Sequence, residues 1–152
     1  MSPAGVSSPE ASLREHGLRA TRPRVAVLTA LTELGAHRSA EEVRARIAET
    51  AEPLPRSSVY GILEALVGAG LVMTADAGPG VVLYELGDRW HHHFVCRVCH
   101  GVTDVECVTG AKPCLTPGPG IDSAVGTVDE AQVIFRGVCT ACAATAGSAA
   151  RA

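Results

Sequence analysis

Aromatic side chains are scarce in this sequence, which holds one Trp, two Tyr and two Phe among 152 residues. The core must therefore be aliphatic, and each folding unit must be small. A small core gives little margin of stability, and a structural metal is one of the devices that supply it. The length allows one domain or two small ones.

Long apolar runs are also absent. No stretch of about 18 apolar residues occurs, and the polar start MSPAGVSSPE does not resemble a secretory signal. We therefore expect a cytoplasmic protein. In that reducing setting, the six cysteines are better explained as metal ligands or redox thiols than as a disulfide framework.

A positive charge excess is missing too, because 13 Lys and Arg face 16 Asp and Glu and give a net charge of −3. This balance is a weak argument against nucleic-acid binding. One short segment is locally basic, because it contains four arginines and a single acidic residue, Glu15. The arginines are Arg14, Arg19, Arg22 and Arg24. The segment fits either a DNA contact or a solvated helix face, and charge alone does not decide between them.

Helical periodicity runs through the first 70 residues and is broken at turn signals. The predicted helices cover about residues 10–16, 21–34, 40–47 and 56–70. The third is marked by a capping box, in which Ser39 and Glu42 each satisfy a backbone N–H. Short β-rich runs at 71–74 and 81–86, joined across AlaGlyProGly, then predict a hairpin.

Helices followed by such a hairpin suggest a winged helix-turn-helix. The polar face of the fourth helix supports this interpretation, because a guanidinium and small hydroxyls at a helix N-terminus suit phosphate and base-edge contacts. These side chains are Arg56, Ser57, Ser58 and Tyr60. An ordinary helical module that contacts protein is the alternative.

Two CxxC pairs, Cys96/Cys99 and Cys139/Cys142, are separated by residues 100–138. Each pair places two thiolates on one turn, and two such turns supply the four sulfurs that tetrahedral Zn²⁺ prefers in a closed structural site. Metal binding at such a site contributes to folding. Two disulfides or uncoordinated buried thiols are the alternatives.

A run of three histidines, His91, His92 and His93, lies just ahead of the first CxxC pair. Strands are predicted over residues 91–96, 102–107 and 132–138, after a hinge at 87–90. Alternation along a strand puts His91 and His93 on one face and His92 on the other, so two of the three would share a metal. A polar surface strand is the alternative.

The order of these features resembles the ferric uptake regulator (Fur) superfamily of metal-dependent repressors. The matching motifs span about residues 13–142: GLRATRPR, GAHRSAEEV, SSVYGILEALVGAGLV, HHHFVCRVC with Asp104 shortly after it, and GVCTAC. Within the superfamily, segments 104–117 and 128–139 look most like the actinobacterial FurA/CatR-type repressors encoded beside catalase-peroxidase genes.

The resemblance implies an α+β fold with three parts. These are a winged-helix DNA-binding domain over residues 1–86, a hinge over 87–90 and a small α/β metal-binding dimerisation domain over 91–152. It also implies a homodimer that binds an AT-rich inverted repeat in double-stranded DNA. Arg19 would approach the backbone or the minor groove, and the polar face of the fourth helix would contact the major groove.

Two metals per chain follow from the same resemblance. The four CxxC cysteines match a structural zinc site. A regulatory site for Fe²⁺ or Mn²⁺ matches His37, Glu85, His91, His93 and Asp104. Three imidazoles and two carboxylates suit iron or manganese better than a second thiolate zinc site would.

Several positions depart from the family pattern. Trp90, His92 and Ala131 stand where many relatives supply an additional metal site, so we expect that site to be missing. The proline- and glycine-rich stretch 110–126 predicts a loop where relatives place a dimerisation helix. Cys107 and Cys114 are open to metal binding, to pairing or to remaining free thiols, and free thiols are favoured. The tail over residues 143–152 is expected to fray.

The expected function is transcriptional repression rather than catalysis, without a membrane or a small-molecule substrate. The regulated genes would serve oxidative stress or iron homeostasis, and peroxide could act by oxidising a ligand histidine or a cysteine. A zinc- or nickel-responsive repressor is the main alternative. A thiol redox module and a zinc hydrolase are less favoured, the latter because the sequence has no HExxH-type helix.

Overall fold

The structure is a computed structural model that describes residues 7–87, 91–106 and 133–149, with side chains in the last helix described as far as Thr145. The chain divides into two compact units, a first unit within residues 1–88 and a second within 89–152. The predicted loop at 110–126 lies outside the described residues, as do Trp90, Cys107, Cys114 and Ala131. Within the described part, no helix is long and apolar enough to span a bilayer.

Four helices and a hairpin form the described part of the first unit. They are α1 (Pro9–Glu15), α2 (Arg22–Leu34), α3 (Ala40–Thr50), α4 (Arg56–Gly68), β1 (Val72–Gly78) and β2 (Val81–Leu86). The capping box that starts α3 is confirmed, because the Glu42 N–H donates to the Ser39 hydroxyl at 3.2 Å and the Ser39 N–H donates to the Glu42 carboxylate at 2.8 Å. Four helices followed by an antiparallel hairpin are the element order of the predicted winged helix-turn-helix.

The core of this unit is aliphatic, as the scarcity of aromatic residues predicts. Each helix contributes the apolar side of its 3.6-residue period, and Tyr84 of β2 adds an aromatic ring. The largest fully buried side chains are Leu13, Val27, Leu31, Val43, Ile47, Val59, Leu63, Leu66 and Val72. This packing fixes the orientation of α4, whose opposite side begins with the exposed Arg56, Ser57 and Ser58.

The hairpin differs from the sequence prediction at its tip. The first strand was expected to end at residue 74, but β1 continues to Gly78, which pairs with Val81 across a two-residue turn. A register shift between Asp76 and Gly78 makes the extension possible, and the Gly78 N–H donates to the Asp76 carboxylate at 2.8 Å. Because of this bulge, the pairing of β1 with β2 extends further along the chain than the alternation of side chains indicates.

Three strands and a helix form the described part of the second unit: β3 (His92–Cys96), β4 (Val102–Val105), β5 (Ile134–Gly137) and α5 (Thr140–Ala149). The strand order is β4-β3-β5, with β4 antiparallel and β5 parallel to β3. The predicted fraying of the tail was wrong for residues 143–149, which continue α5, and residues 150–152 lie outside the described residues. Alanine is the strongest helix former, and the Ala143 N–H begins the helix by donating to the Cys139 carbonyl at 2.9 Å.

Replacing glycine by alanine should have opposite effects on stability at two positions of the first unit. Gly61 lies inside α4 with open space where a Cβ would stand, whereas Gly70 has a φ of +75°. Gly61→Ala should raise the free energy of unfolding by about 0.5–1 kcal/mol. Gly70→Ala should lower it by roughly 1 kcal/mol or more. Urea unfolding of both variants tests this, and shifts of the same sign would contradict it.

Candidate metal centres and nucleic-acid interface

Parallel pairing of β3 and β5 brings the two CxxC turns together. Cys96 is the partner of Gly137 in the ladder, and the Arg97 N–H donates to the Gly137 carbonyl at 2.8 Å. Because parallel strands end at the same edge of a sheet, the turn after β3 and the turn after β5 leave the sheet side by side. The four cysteines therefore converge although residues 100–138 separate them.

The geometry of the four sulfurs fits a tetrahedral metal ion. They lie within 4.8 Å of one another, and Cys99 Sγ lies 3.9 Å from Cys139 Sγ. Zn–S bonds of about 2.3 Å at a tetrahedral angle separate neighbouring sulfurs by about 3.8 Å. A disulfide requires about 2.05 Å, and none joins these four thiols. The cluster suits structural zinc, as predicted.

Backbone donors prepare this cluster for a cation. The N–H groups of Cys99, Cys139 and Val98 hydrogen-bond to the Cys96 sulfur and lower the pKa of that thiol to about 6. Hydrogen bonding with the Cys139 and Cys99 thiols raises the pKa of Cys142 to about 12. Four adjacent sulfurs can lose all their protons only if a positive charge balances them, which is what Zn²⁺ supplies when bound.

A backbone bridge places two of the predicted regulatory ligands beside each other in the first unit. The Arg38 N–H donates to the Tyr84 carbonyl at 2.8 Å, and the Tyr84 N–H donates to the Arg38 carbonyl at 2.7 Å. In antiparallel pairing, the residue before Arg38 then faces the residue after Tyr84. Accordingly, His37 Nε2 lies 3.2 Å from Glu85 Oε2, and both side chains are only 6% exposed.

The second unit holds the other three predicted regulatory ligands. His93 pairs with Asp104 across β3 and β4, and His91 Nε2 lies 3.4 Å from Asp104 Oδ1. The rings of His91 and His93 are 4.7 Å apart, whereas the His92 ring meets Phe135 edge-on at 5.5 Å. The predicted alternation of the histidines is confirmed. Each unit thus carries its own group of nitrogen and oxygen donors.

The predicted DNA-contact residues lie on the surface of the first unit. Ser57 and Ser58 are exposed at the start of α4, and Tyr60 is half-buried one turn later. Arg19 is exposed between α1 and α2, where it lines a shallow cavity of about 450 Å³ together with Arg14 and Thr21. Sequence patterns gave no signal for Glu41 of α3, whose Oε1 lies 3.0 Å from Arg56 Nε.

Comparison with known proteins decides the family. The sequence model of the ferric uptake regulator family matches residues 15–109, which is more than half of the chain. The chain belongs to the ferric uptake regulator family. Its relatives include the transcriptional regulator FurA of Mycobacterium tuberculosis, which is 41% identical over 132 residues that cover 86% of each chain. Ferric uptake regulation protein 1 of Mycolicibacterium fortuitum is 40% identical and covers 81% of this chain and 74% of its own.

Solved structures agree with this assignment. The ferric uptake regulator of Pseudomonas aeruginosa with manganese matches at a TM-score of 0.66 and 25% identity, over 87% of this chain and 98% of that one. The Campylobacter jejuni peroxide stress regulator matches at a TM-score of 0.58 and 26% identity, over 86% and 96%. The family and the α+β fold predicted from the sequence are confirmed. Family membership also makes the chain a transcriptional regulator rather than an enzyme.

Removal of one sulfur from the cluster should abolish zinc binding. Cys99→Ser should lower the zinc content of the purified protein from about one ion per chain to near zero, because a closed site needs four ligands. Elemental analysis measures this. Cys107→Ser is the comparison and should retain zinc. Full zinc content in the Cys99 variant would contradict the assignment of the cluster.

Proposed function

We propose that this chain is a metal-dependent DNA-binding repressor that acts in the cytoplasm as a homodimer on AT-rich inverted repeats. One observation carries the proposal. The unit that contains the recognition helix also holds the buried His37–Glu85 pair, which is a pair of metal-type donors apart from the thiol cluster. Membership in the ferric uptake regulator family supports the same conclusion.

In this proposal the chain has three parts with separate tasks. Residues 1–86 are the DNA-binding domain, 87–90 the hinge and 91–152 the metal-binding dimerisation domain. The thiol cluster stabilises the last part. The free energy of zinc binding would stabilise the fold of that domain, whose described part contains only three short strands and one helix.

The regulatory site in the proposal consists of His37 and Glu85 from the first unit with His91, His93 and Asp104 from the second. A bound divalent cation supplies positive charge that two carboxylates and three imidazoles can share. Ligands on both sides of the hinge would then favour one angle between the domains, and a dimer in that state would present its recognition helices at the spacing of an inverted repeat.

DNA contacts in the proposal come from two places on the first unit. Ser57, Ser58 and Tyr60 of α4 reach the major groove together with Arg56, and Arg19 reaches the backbone or the minor groove. Exposure of the α4 hydroxyls and of Arg19 supports these roles. Phosphate contacts from the arginines would make binding depend on salt concentration.

Iron or manganese is the preferred regulatory metal in this proposal. The donors are imidazoles and carboxylates, which are borderline to hard ligands. FurA of Mycobacterium tuberculosis is also nearer to this chain than the zinc uptake regulation protein of that species, which is 34% identical over 90 residues. A zinc- or nickel-responsive repressor remains the second candidate, because imidazole also binds those metals well.

Removal of the paired histidines should abolish the metal response. Manganese should tighten DNA binding of the unaltered protein by about tenfold or more, within the usual range of allosteric coupling. The double variant His91→Ala/His93→Ala should show little or no tightening. Gel shifts on AT-rich promoter DNA, with and without Mn²⁺ at fixed salt, measure the effect.

His92→Ala is the matched control for this experiment. It removes a histidine from the same run, but its ring lies against Phe135 rather than beside Asp104. It should therefore keep the manganese response. A double variant that responds as strongly as the unaltered protein would rule out the proposed regulatory site.

Peroxide is the proposed second signal. Hydrogen peroxide would oxidise a ligand imidazole of the Fe²⁺-loaded protein, and the oxidised protein would then dissociate from DNA. Oxidation of cluster thiols with loss of zinc is the competing route. Mass spectrometry after peroxide treatment distinguishes them. We expect one added oxygen atom on a peptide containing His37, His91 or His93, whereas a disulfide with zinc loss would contradict this route.

A further inference from the structure

The first turn of α4 presents an arginine that is held from two sides. Arg56 Nη2 donates a hydrogen bond to the Tyr60 hydroxyl at 3.3 Å, and the guanidinium carbon lies 5.4 Å from the centre of the Tyr60 ring. On its other side, Arg56 Nε lies 3.0 Å from Glu41 Oε1. Glu41 belongs to α3, so this second contact joins the two helices of the helix-turn-helix.

Glu41 is itself fixed in place. Its Oε2 accepts a hydrogen bond from Arg44 Nε at 2.9 Å, on the same face of α3. Its Oε1 is covered and accepts no hydrogen bond. The charge of Arg56 is therefore what balances this oxygen. The contact is an ion pair without an aligned N–H, so it restrains the guanidinium and leaves other N–H groups of Arg56 available to DNA.

Arg56 is the only basic residue of α4. The direction in which its guanidinium points therefore determines whether this helix contacts base edges or phosphates. An arginine without restraint reaches the nearest phosphate and adds affinity for any sequence. A guanidinium held against a neighbouring ring keeps most of its five N–H donors in a fixed direction, as a bidentate base contact requires. Gly61 follows Tyr60 without a side chain, and the space around it is open.

We propose that Glu41 is a specificity-determining positioning residue. It holds Arg56 against Tyr60 and opposes its charge, and so favours contacts with base edges over contacts with phosphates. This inference rests on the proposed function, because it assumes that α4 enters a groove of DNA. It adds to that function an acidic residue that lowers non-specific affinity and thereby sharpens the choice of operator.

Glu41→Gln tests the inference in the full-length, metal-loaded protein. Duplexes are first enriched from a random library with the unaltered protein, and one enriched duplex and its scrambled version become the probes. Loss of the carboxylate should tighten binding to the scrambled duplex by about 3- to 10-fold and lower the ratio of the two affinities by about fivefold. The salt slope on the scrambled duplex should steepen by about 0.9, as one added phosphate contact requires.

Glu49→Gln is the matched control, because it removes the same charge from the same helix and breaks a similar ion pair, with Arg46 at 3.0 Å. It should leave the affinity ratio unchanged. The Arg56→Gln background should abolish the effect of Glu41→Gln. An equal effect of both glutamate variants, or an effect that persists without Arg56, would overturn the inference.

The outcomes also separate this inference from the function on which it rests. If the unaltered protein enriches a sequence and the Glu41 variant keeps its affinity ratio, only the role of Glu41 is wrong. If the unaltered protein enriches no sequence with manganese or iron present, the proposed function fails and the role of Glu41 fails with it.

Discussion

Pairing of β3 with its two neighbours is the constraint on which both donor groups of the second unit depend. The antiparallel partner β4 brings Asp104 to His93, and the parallel partner β5 brings Cys139 to Cys96. His93 and Cys96 are three residues apart on one strand, or about 10 Å. This separation keeps imidazole and carboxylate donors at one end of β3 and thiols at the other. Borderline-to-hard donors and soft donors thus lie at opposite ends of a single five-residue strand.

The first unit relies on an equally small piece of backbone pairing. Two hydrogen bonds join Arg38 to Tyr84, and the Arg38 side chain adds bonds to the Leu34 and Gly35 carbonyls at the end of α2. The hairpin is therefore tied to the start of α3 and the end of α2. Because His37 and Glu85 adjoin the bridging residues, their contact follows from the fold. In the proposed regulatory site, a pair held in this way would lose little entropy on binding a cation.

Local patterns in the sequence were sufficient to predict most of the fold. The capping box at Ser39, the apolar face of α4 and the alternation of the three histidines all depend on residues a few positions apart. The parallel pairing of β5 with β3 was not predicted, because it joins residues about 40 positions apart. The helix α5 was missed because an Ala-rich tail suggests fraying unless a preceding turn fixes its first residues.

The candidate sites divide in the same way. The four cysteines that cluster were predicted from spacing, and the proposed regulatory ligands from the family motifs together with their donor chemistry. Neither source points to Glu41, because its partner Arg56 is distant in sequence and each residue alone resembles an ordinary surface charge. Charge counting had the same weakness. Net charge gave a poor indication of DNA binding because it does not show which cations are already paired.

Contacts in the first unit show how a protein of net charge −3 can still present a basic surface. Arg38, Arg44 and Arg46 lie in ion pairs with neighbouring glutamates, so they contribute little field at a distance. Within the described residues, no such pair joins Arg14, Arg19 or Arg22 to an acid. In the described part of the first unit, α1, α2 and the segment between them therefore carry arginines that no acid pairs, and Arg56 is the paired cation that α4 itself presents. In the proposed function, electrostatic attraction and sequence reading would therefore belong to different parts of one small domain.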